Sequence, residues 1–213
     1  VVLPAISADD KVAFRAVHNP KDQRPVIGMA ARLATEKGVE VLLKALPEVL
    51  THHPHALVQF VGPYKNIIGE EQYFKRLEPE LREFEASGNW QFLGSMSPAQ
   101  MSAFYANLDL LVVPSLNSTE AFGLVQIEAM MNGVRCITSN LPGVRQPVKT
   151  HKMGAIFPIG DAGELALRIL EALDHPDYLQ QANMDFSAYD PDKVAEQYEK
   201  LFKVIDAGLR TSP

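Results

Sequence analysis

The sequence predicts an α/β protein built on a single doubly wound parallel sheet with helices on both faces. Three observations predict it. Apolar runs of strand length recur along the chain, among them PVIGMA at 25–30, ALVQFV at 56–61 and DLLVV at 109–113. These runs are continuous rather than alternating, as expected of strands buried on both faces. Amphipathic stretches lie between them, joined by short connections, which is the order of a parallel α/β sheet. No internal repeat or low-complexity segment breaks that order.

Each element has its own local justification. After the first strand, Val39, Leu42, Leu43, Leu46 and Leu50 follow the helical period, with a kink or break expected at Pro47. The strand at 56–61 ends at Gly62-Pro63. Residues 70–86 read as a charged, exposed helix in which Glu70, Glu71, Glu78, Glu80, Glu83 and Glu85 mix with Lys75, Arg76 and Arg82. NWQFL at 89–93 reads as a strand that stops at Gly94. Ser97 before Pro98 is an N-cap with proline at the first helical position, and that helix runs to about Asn107. The strand at 109–113 ends at Pro114-Ser115. A loop and a helix at about 122–132 follow, closed by Asn132-Gly133. VRCIT at 134–138 and GAIF at 154–157 are further strands. From about 162 the chain is mostly helical, with breaks at His175-Pro176 and Asp190-Pro191.

Composition excludes several classes. At 213 residues, 46% hydrophobic with a net charge of −6, the chain falls among folded domains large enough to need no staples. The acidic balance argues against broad nucleic-acid binding. Cys136 is the only cysteine, so no internal disulfide and no cysteine-built metal site form. It is expected to be buried and inert in a reducing compartment. No apolar run approaches the ~18 residues of a membrane helix. The N-terminal VVLPAISADD has no basic region followed by an apolar stretch, so no signal peptide is expected. His52, His53 and His55 cluster around Pro54, either as metal ligands or as surface decoration. Met130 and Met131 read as helix packing.

In a doubly wound sheet, ligands bind at the carboxyl ends of the strands near the switch point, so the loops there carry the chemistry. The first, ARLATEKG at 31–38, lacks both the dinucleotide glycine fingerprint and the P-loop pattern. It offers Arg32 and Lys37. A guanidinium and an ammonium together suit a diphosphate without a metal; as surface cations they would only be solvated. The loop SLNSTEAFGLVQIE at 115–128 is richer. Free N–H groups at its helix start would hold a phosphate. Glu120 and Glu128, eight positions apart, would face one side if the helix began at 120. Carboxylates there accept hydrogen bonds from paired hydroxyls. Alternatively, Glu120 only complements the helix dipole and Glu128 is an exposed helix position.

The ordered set of blocks resembles a known family. RLATEKG at 32–38, FLG at 92–94, DLLVVPS at 109–115 and EAFGLVQIE at 120–128, continuing AMMNGVRCITSNLPGV, look like the carboxyl-terminal half of a retaining glycosyltransferase of family 4, with the GT-B fold. The similarity is strongest over roughly 24–160. FSAYDPDKVAEQYEKLF at 186–202 looks like the family's closing helices. The resemblance implies a single Rossmann-like domain at 25–185, preceded by a linker segment at 1–24 and followed by a helical tail at 186–213. It implies that Arg32 and Lys37 bind the diphosphate of a sugar nucleotide and stabilise the leaving group. Glu120 would contact hydroxyls of the transferred sugar. Phe122, Gly123 and Leu124 would offer backbone amides, and Glu128 would hold the ribose. Met96 would lie by the nucleobase or in the core. Gly62 would join the donor contacts, although Gly62-Pro63-Tyr64-Lys65 departs from the family's glycine-richer loop. Gln146, where the family often has an acidic residue, cannot be a general base. Arg145 adds a phosphate contact or lies on the surface.

The expected function is donor binding in a retaining transfer of a hexose from a UDP- or GDP-sugar to a glycan or lipid-linked acceptor. No metal or further cofactor is expected. The family's enzymes have two such domains and about twice this length. The chain is therefore expected to be the donor half, an excised piece or a subunit, inactive until joined by an N-terminal acceptor domain. The full enzyme is expected in the cytoplasm, peripheral to the membrane. The alternatives are a non-catalytic nucleotide-sugar-binding module and a related GT-B enzyme such as a nucleotide-sugar epimerase.

Overall fold

The computed structural model describes residues 3–175 and 183–210. Its sheet has six strands, all parallel: β1 (Val26–Ala30), β2 (Leu57–Val61), β3 (Trp90–Gly94), β4 (Leu110–Val113), β5 (Arg135–Ser139) and β6 (Gly154–Phe157). Their order across the sheet is β3-β2-β1-β4-β5-β6. The order reverses direction between β1 and β4, which places the switch point there. This is the doubly wound α/β fold.

The helices are α1 (Ala8–His18), α2 (Val39–His52), α3 (Glu71–Ser87), α4 (Pro98–Tyr105), α5 (Leu124–Met131), α6 (Gln146–His151), α7 (Ala162–Asp174) and α8 (Pro191–Arg210). Strand residues divide by parity between two cores. Ile27, Met29, Val58, Phe60, Leu110 and Val112 pack under α2, α3 and α7. Val26, Val61, Leu111 and Val113 pack under α1, α4, α5 and α6. Period-two alternation thus sends successive side chains to opposite helical layers. Both layers are apolar, so the strands read as unbroken apolar runs.

Helix α2 continues through Pro47, so the chain does not break there. Pro47 faces solvent, while Val39, Leu42, Leu43, Leu46 and Val49 are fully buried. An internal proline costs about 3 kcal/mol. Five buried aliphatic side chains, at roughly 1.5–3 kcal/mol each, outweigh it. Helix α3 is not exposed all round, since Tyr73, Leu77 and Leu81 are buried. The segment 1–24, expected to be a linker, carries α1, whose Phe14 is buried in the second core. Helix α5 begins at Leu124, later than the 120–122 expected, because Gly123 takes the left-handed conformation at φ 74°. Glu120 therefore lies in a loop and not one helical face with Glu128. Among the described residues no helix is long and apolar enough to cross a membrane.

Candidate functional site

A cavity of about 550 Å3 opens at the carboxyl ends of β1 and β4, at the switch point. Its size lies within the range of small-molecule sites. Met29–Arg32 and Lys37 form one wall, Val112–Ser115 the floor, and Glu120–Val125 the other wall.

The first wall is pinned from three directions. Leu33 N–H donates to Pro63 O at 2.8 Å, and Leu116 N–H donates to Glu36 O at 2.9 Å. Thr35 donates its N–H and its hydroxyl to Glu70 Oε2, at 3.0 and 2.7 Å. Gly38 closes the turn at φ +67°, and a Cβ there would stand 2.1 Å from Pro114 O. Only glycine lets the β1 and β4 loops approach so closely. The loop thus presents Arg32 and Lys37 on a fixed backbone.

Both cations meet a carboxylate. Arg32 pairs with Glu36, and Lys37 pairs with Glu120. Burial pushes the Glu36 carboxyl up, yet hydrogen bonds to backbone and to Arg32, with the charges of Arg32 and Lys37, hold it below its ordinary value. The other Glu120 oxygen, Oε1, accepts from Gly123 N–H at 3.1 Å. One carboxylate therefore bridges the ammonium of the first wall and the entry to α5.

The second wall is braced from behind. Gln126 is fully buried, and its Nε2 donates to Val144 O at 2.8 Å and Phe122 O at 3.3 Å. That amide ties the 120–123 loop to the loop after β5. A Cβ on Gly143 would sit 1.7 Å from Ala121 O, so the two loops also touch through bare backbone. The ring of Phe122 lies 6.1 Å from that of Tyr189, whose hydroxyl meets His151 Nε2 at 3.1 Å.

Arg32, Lys37, Glu120, Phe122, Gly123 and Leu124 thus all line one cavity. Gly62 and Met96 line a second hollow of about 310 Å3, which shares Ala30, Ala31 and Val125 with the first. Gly62 is needed there as glycine: its φ is +126° and a Cβ would meet Ala31 O at 2.1 Å. Met96 also packs against the second core. Glu128 lines neither hollow. It is half-buried on α5, and its Oε2 accepts from Tyr105 OH at 2.8 Å. Burial above all, then the Glu128 carboxylate, raises the Tyr105 hydroxyl, which stays a proton donor.

The remaining candidates lie elsewhere. His52 is exposed beside Glu48, and His53 Nε2 lies 3.3 Å from Asp174. Among the described residues no group of three or more His, Cys, Asp or Glu could hold a metal. Cys136 is buried in β5, and burial raises its thiol. Arg145 donates to Asn140 Oδ1 at 2.8 Å and Gln146 to Pro142 O at 2.6 Å. Sequence reasoning missed Glu36, Glu70, Tyr105 and Gln126. The four-residue spacing of Arg32 and Glu36 was a readable signal. The other three act across 4 to 35 positions through partners that only the fold supplies.

Comparison with known proteins agrees with this architecture. The family model "Glycosyl transferases group 1" matches residues 10–190. A phosphatidyl-myo-inositol mannosyltransferase of Mycolicibacterium smegmatis is 27% identical over 198 residues, covering 90% of this chain and 48% of the relative. The sucrose-phosphate synthase structure from Thermosynechococcus elongatus superposes with a TM-score of 0.77 at 24% identity, covering 95% of this chain and 49% of that one. Anabaena HepE, solved in complex with UDP and glucose, superposes with a TM-score of 0.71 at 22% identity, covering 91% and 53%. The chain spans about half the length of the curated relatives it matches. With most of its length under one family model and its sheet shared with these structures, the chain belongs to the group 1 glycosyl transferases.

Proposed function

We propose that this chain is the donor-binding half of a retaining glycosyltransferase, which moves a hexose from a UDP- or GDP-sugar to a glycan or lipid-linked acceptor. The observation that carries the reading is the meeting of Arg32, Lys37, Glu120 and the start of α5 around one cavity at the switch point. Two cations and a helix N-terminus suit a diphosphate. Their fixed charge offsets the negative charge that grows on the leaving diphosphate as the glycosidic bond breaks. No metal is needed for that step. Glu120, in the second wall, is the residue assigned to accept hydrogen bonds from the sugar hydroxyls. The second hollow, with Gly62 and Met96, takes the nucleoside side of the donor, and the family resemblance assigns the ribose to Glu128, which stands outside both hollows on α5.

The name of the mannosyltransferase relative supports a lipid-linked acceptor, and the HepE complex supports a uridine donor. The acceptor is bound by a second domain, and the donor half transfers little without it. Calorimetric titration of this chain with UDP, GDP and ADP tests the reading. One nucleotide should bind in the micromolar to millimolar range, and Lys37→Ala should weaken it about tenfold, the effect of losing a charged hydrogen bond. No binding of any nucleotide overturns it.

A further inference from the structure

We propose that Glu120 is an internal counter-anion for the phosphate site, and that its displacement makes the site select a sugar-bearing diphosphate over a bare one. This rests on the donor-binding reading above. The Glu120 carboxylate holds Lys37 with one oxygen and the Gly123 N–H with the other. An ammonium and a helix-entry amide are the two kinds of donor a phosphate oxygen takes. Glu120 thus stands in for an anion inside its own site. Arg32 is compensated too, by Glu36.

The Lys37 and Glu120 side chains are only 20% and 19% exposed, so the pair is partly shielded from water. A diphosphate reaching Lys37 would lie against the carboxylate, and two like charges at such range repel. Glu120 must therefore leave Lys37. It sits in the loop before α5, so it can turn without unwinding a helix. Once turned, it needs new donors, and a free carboxylate in a partly buried wall is costly without them. Among the described residues, apart from Arg32 and Lys37, which the diphosphate would engage, Ser115 is the one lining side chain with a donor, and it is buried in the floor. A sugar on the diphosphate brings hydroxyl donors to the displaced oxygens. A nucleoside diphosphate alone brings charge beside Glu120, while its ribose hydroxyls go with the nucleoside to the second hollow, which Glu120 does not line. The same residue thereby opposes the bare nucleotide and favours the nucleotide sugar.

The test is calorimetry on this chain and on Glu120→Gln. The probes are inorganic pyrophosphate, then UDP against UDP-glucose and GDP against GDP-mannose. Glutamine keeps the size and an acceptor for Gly123 but removes the charge. Pyrophosphate and the nucleoside diphosphate should bind about fivefold tighter to Glu120→Gln, as expected for an ion pair worth near 1 kcal/mol. The nucleotide sugar should gain less, so its advantage over the bare nucleotide narrows. Should Glu120→Gln fail to fold, judged by circular dichroism, Glu120→Ala gives the same comparison, since it too removes the charge. In the unmutated chain, the Gly123 amide resonance must move when pyrophosphate binds. An unchanged preference with no gain in pyrophosphate binding overturns the proposal, as does pyrophosphate binding that leaves Gly123 unmoved. Nucleotide binding that Lys37→Ala abolishes but Glu120→Gln does not alter sinks this inference alone. No binding by any form sinks the donor-site reading with it.

Discussion

Tyr105 donates its hydroxyl to Glu128 Oε2 at 2.8 Å, from a fully buried ring at the end of α4 to the middle of α5. Glu128 is therefore an oriented carboxylate, not a free surface one. Tyr105→Phe keeps the ring and removes the donor. It should lower stability by about 1 kcal/mol, the net worth of one such hydrogen bond. It should also weaken nucleotide binding severalfold while leaving pyrophosphate binding unchanged. Thermal denaturation and calorimetry on the same samples check both.

The Glu36 carboxyl sits below its ordinary value of 4.5. A depressed carboxylate binds fewer protons folded than unfolded, so stability rises with pH across that region. Its contribution is complete above about pH 4.5 and is lost as pH falls through the folded value. Urea midpoints measured from pH 5 down to 3 should fall more steeply for the unmutated chain than for Glu36→Gln. Parallel curves would show that the Arg32 pair adds nothing to folding.

Gly143→Ala should destabilise, because the new Cβ would lie 1.7 Å from Ala121 O, a backbone atom that cannot swing away. Overpacking of this kind costs about 1–3 kcal/mol, or roughly 2–12 °C in Tm at this chain length. Gly163→Ala is the contrast. Its Cβ would meet nothing closer than 3.6 Å within α7, so a gain of about 0.4–1 kcal/mol is expected. Differential scanning calorimetry of the two variants separates contact from mere loss of glycine.

His151, 1% exposed, ties the segment after residue 183 to α6. Its Nδ1 lies 2.8 Å from Asn183 O, its Nε2 meets Tyr189 OH, and its ring stacks on Phe186 at 4.5 Å. His151→Leu leaves the Asn183 carbonyl without that donor, at about 1–3 kcal/mol. Chymotrypsin should then cut at Phe186 and Tyr189 sooner than in the unmutated chain. Because Tyr189 also touches Phe122, nucleotide binding should weaken in parallel.

Much of this was legible in the sequence. The strands at 26–30, 57–61 and 110–113 lie within one residue of where their apolar runs placed them, since burial on both faces writes itself into composition. Ser97 and Pro98 marked the start of α4, where Ser97 forms a full capping box with Gln100. Pro47 did not break α2, because local propensity yields to five buried side chains. The start of α5 was misplaced because a glycine in an apolar helical pattern does not announce a left-handed φ.

By itself, then, the sequence determined the element order, the parallel sheet and the cluster of residues at its carboxyl edge. These follow from periodicity, caps and hydrophobic runs, all of which act over a few residues. Only the tertiary structure decided which carboxylate meets which partner. Glu120 meets Lys37 across 83 positions, and Glu128 meets Tyr105 across 23. The first pair exists because β1 and β4, adjacent at the switch point, bring their loops together, and the second because α4 and α5 pack side by side; no local spacing encodes either approach.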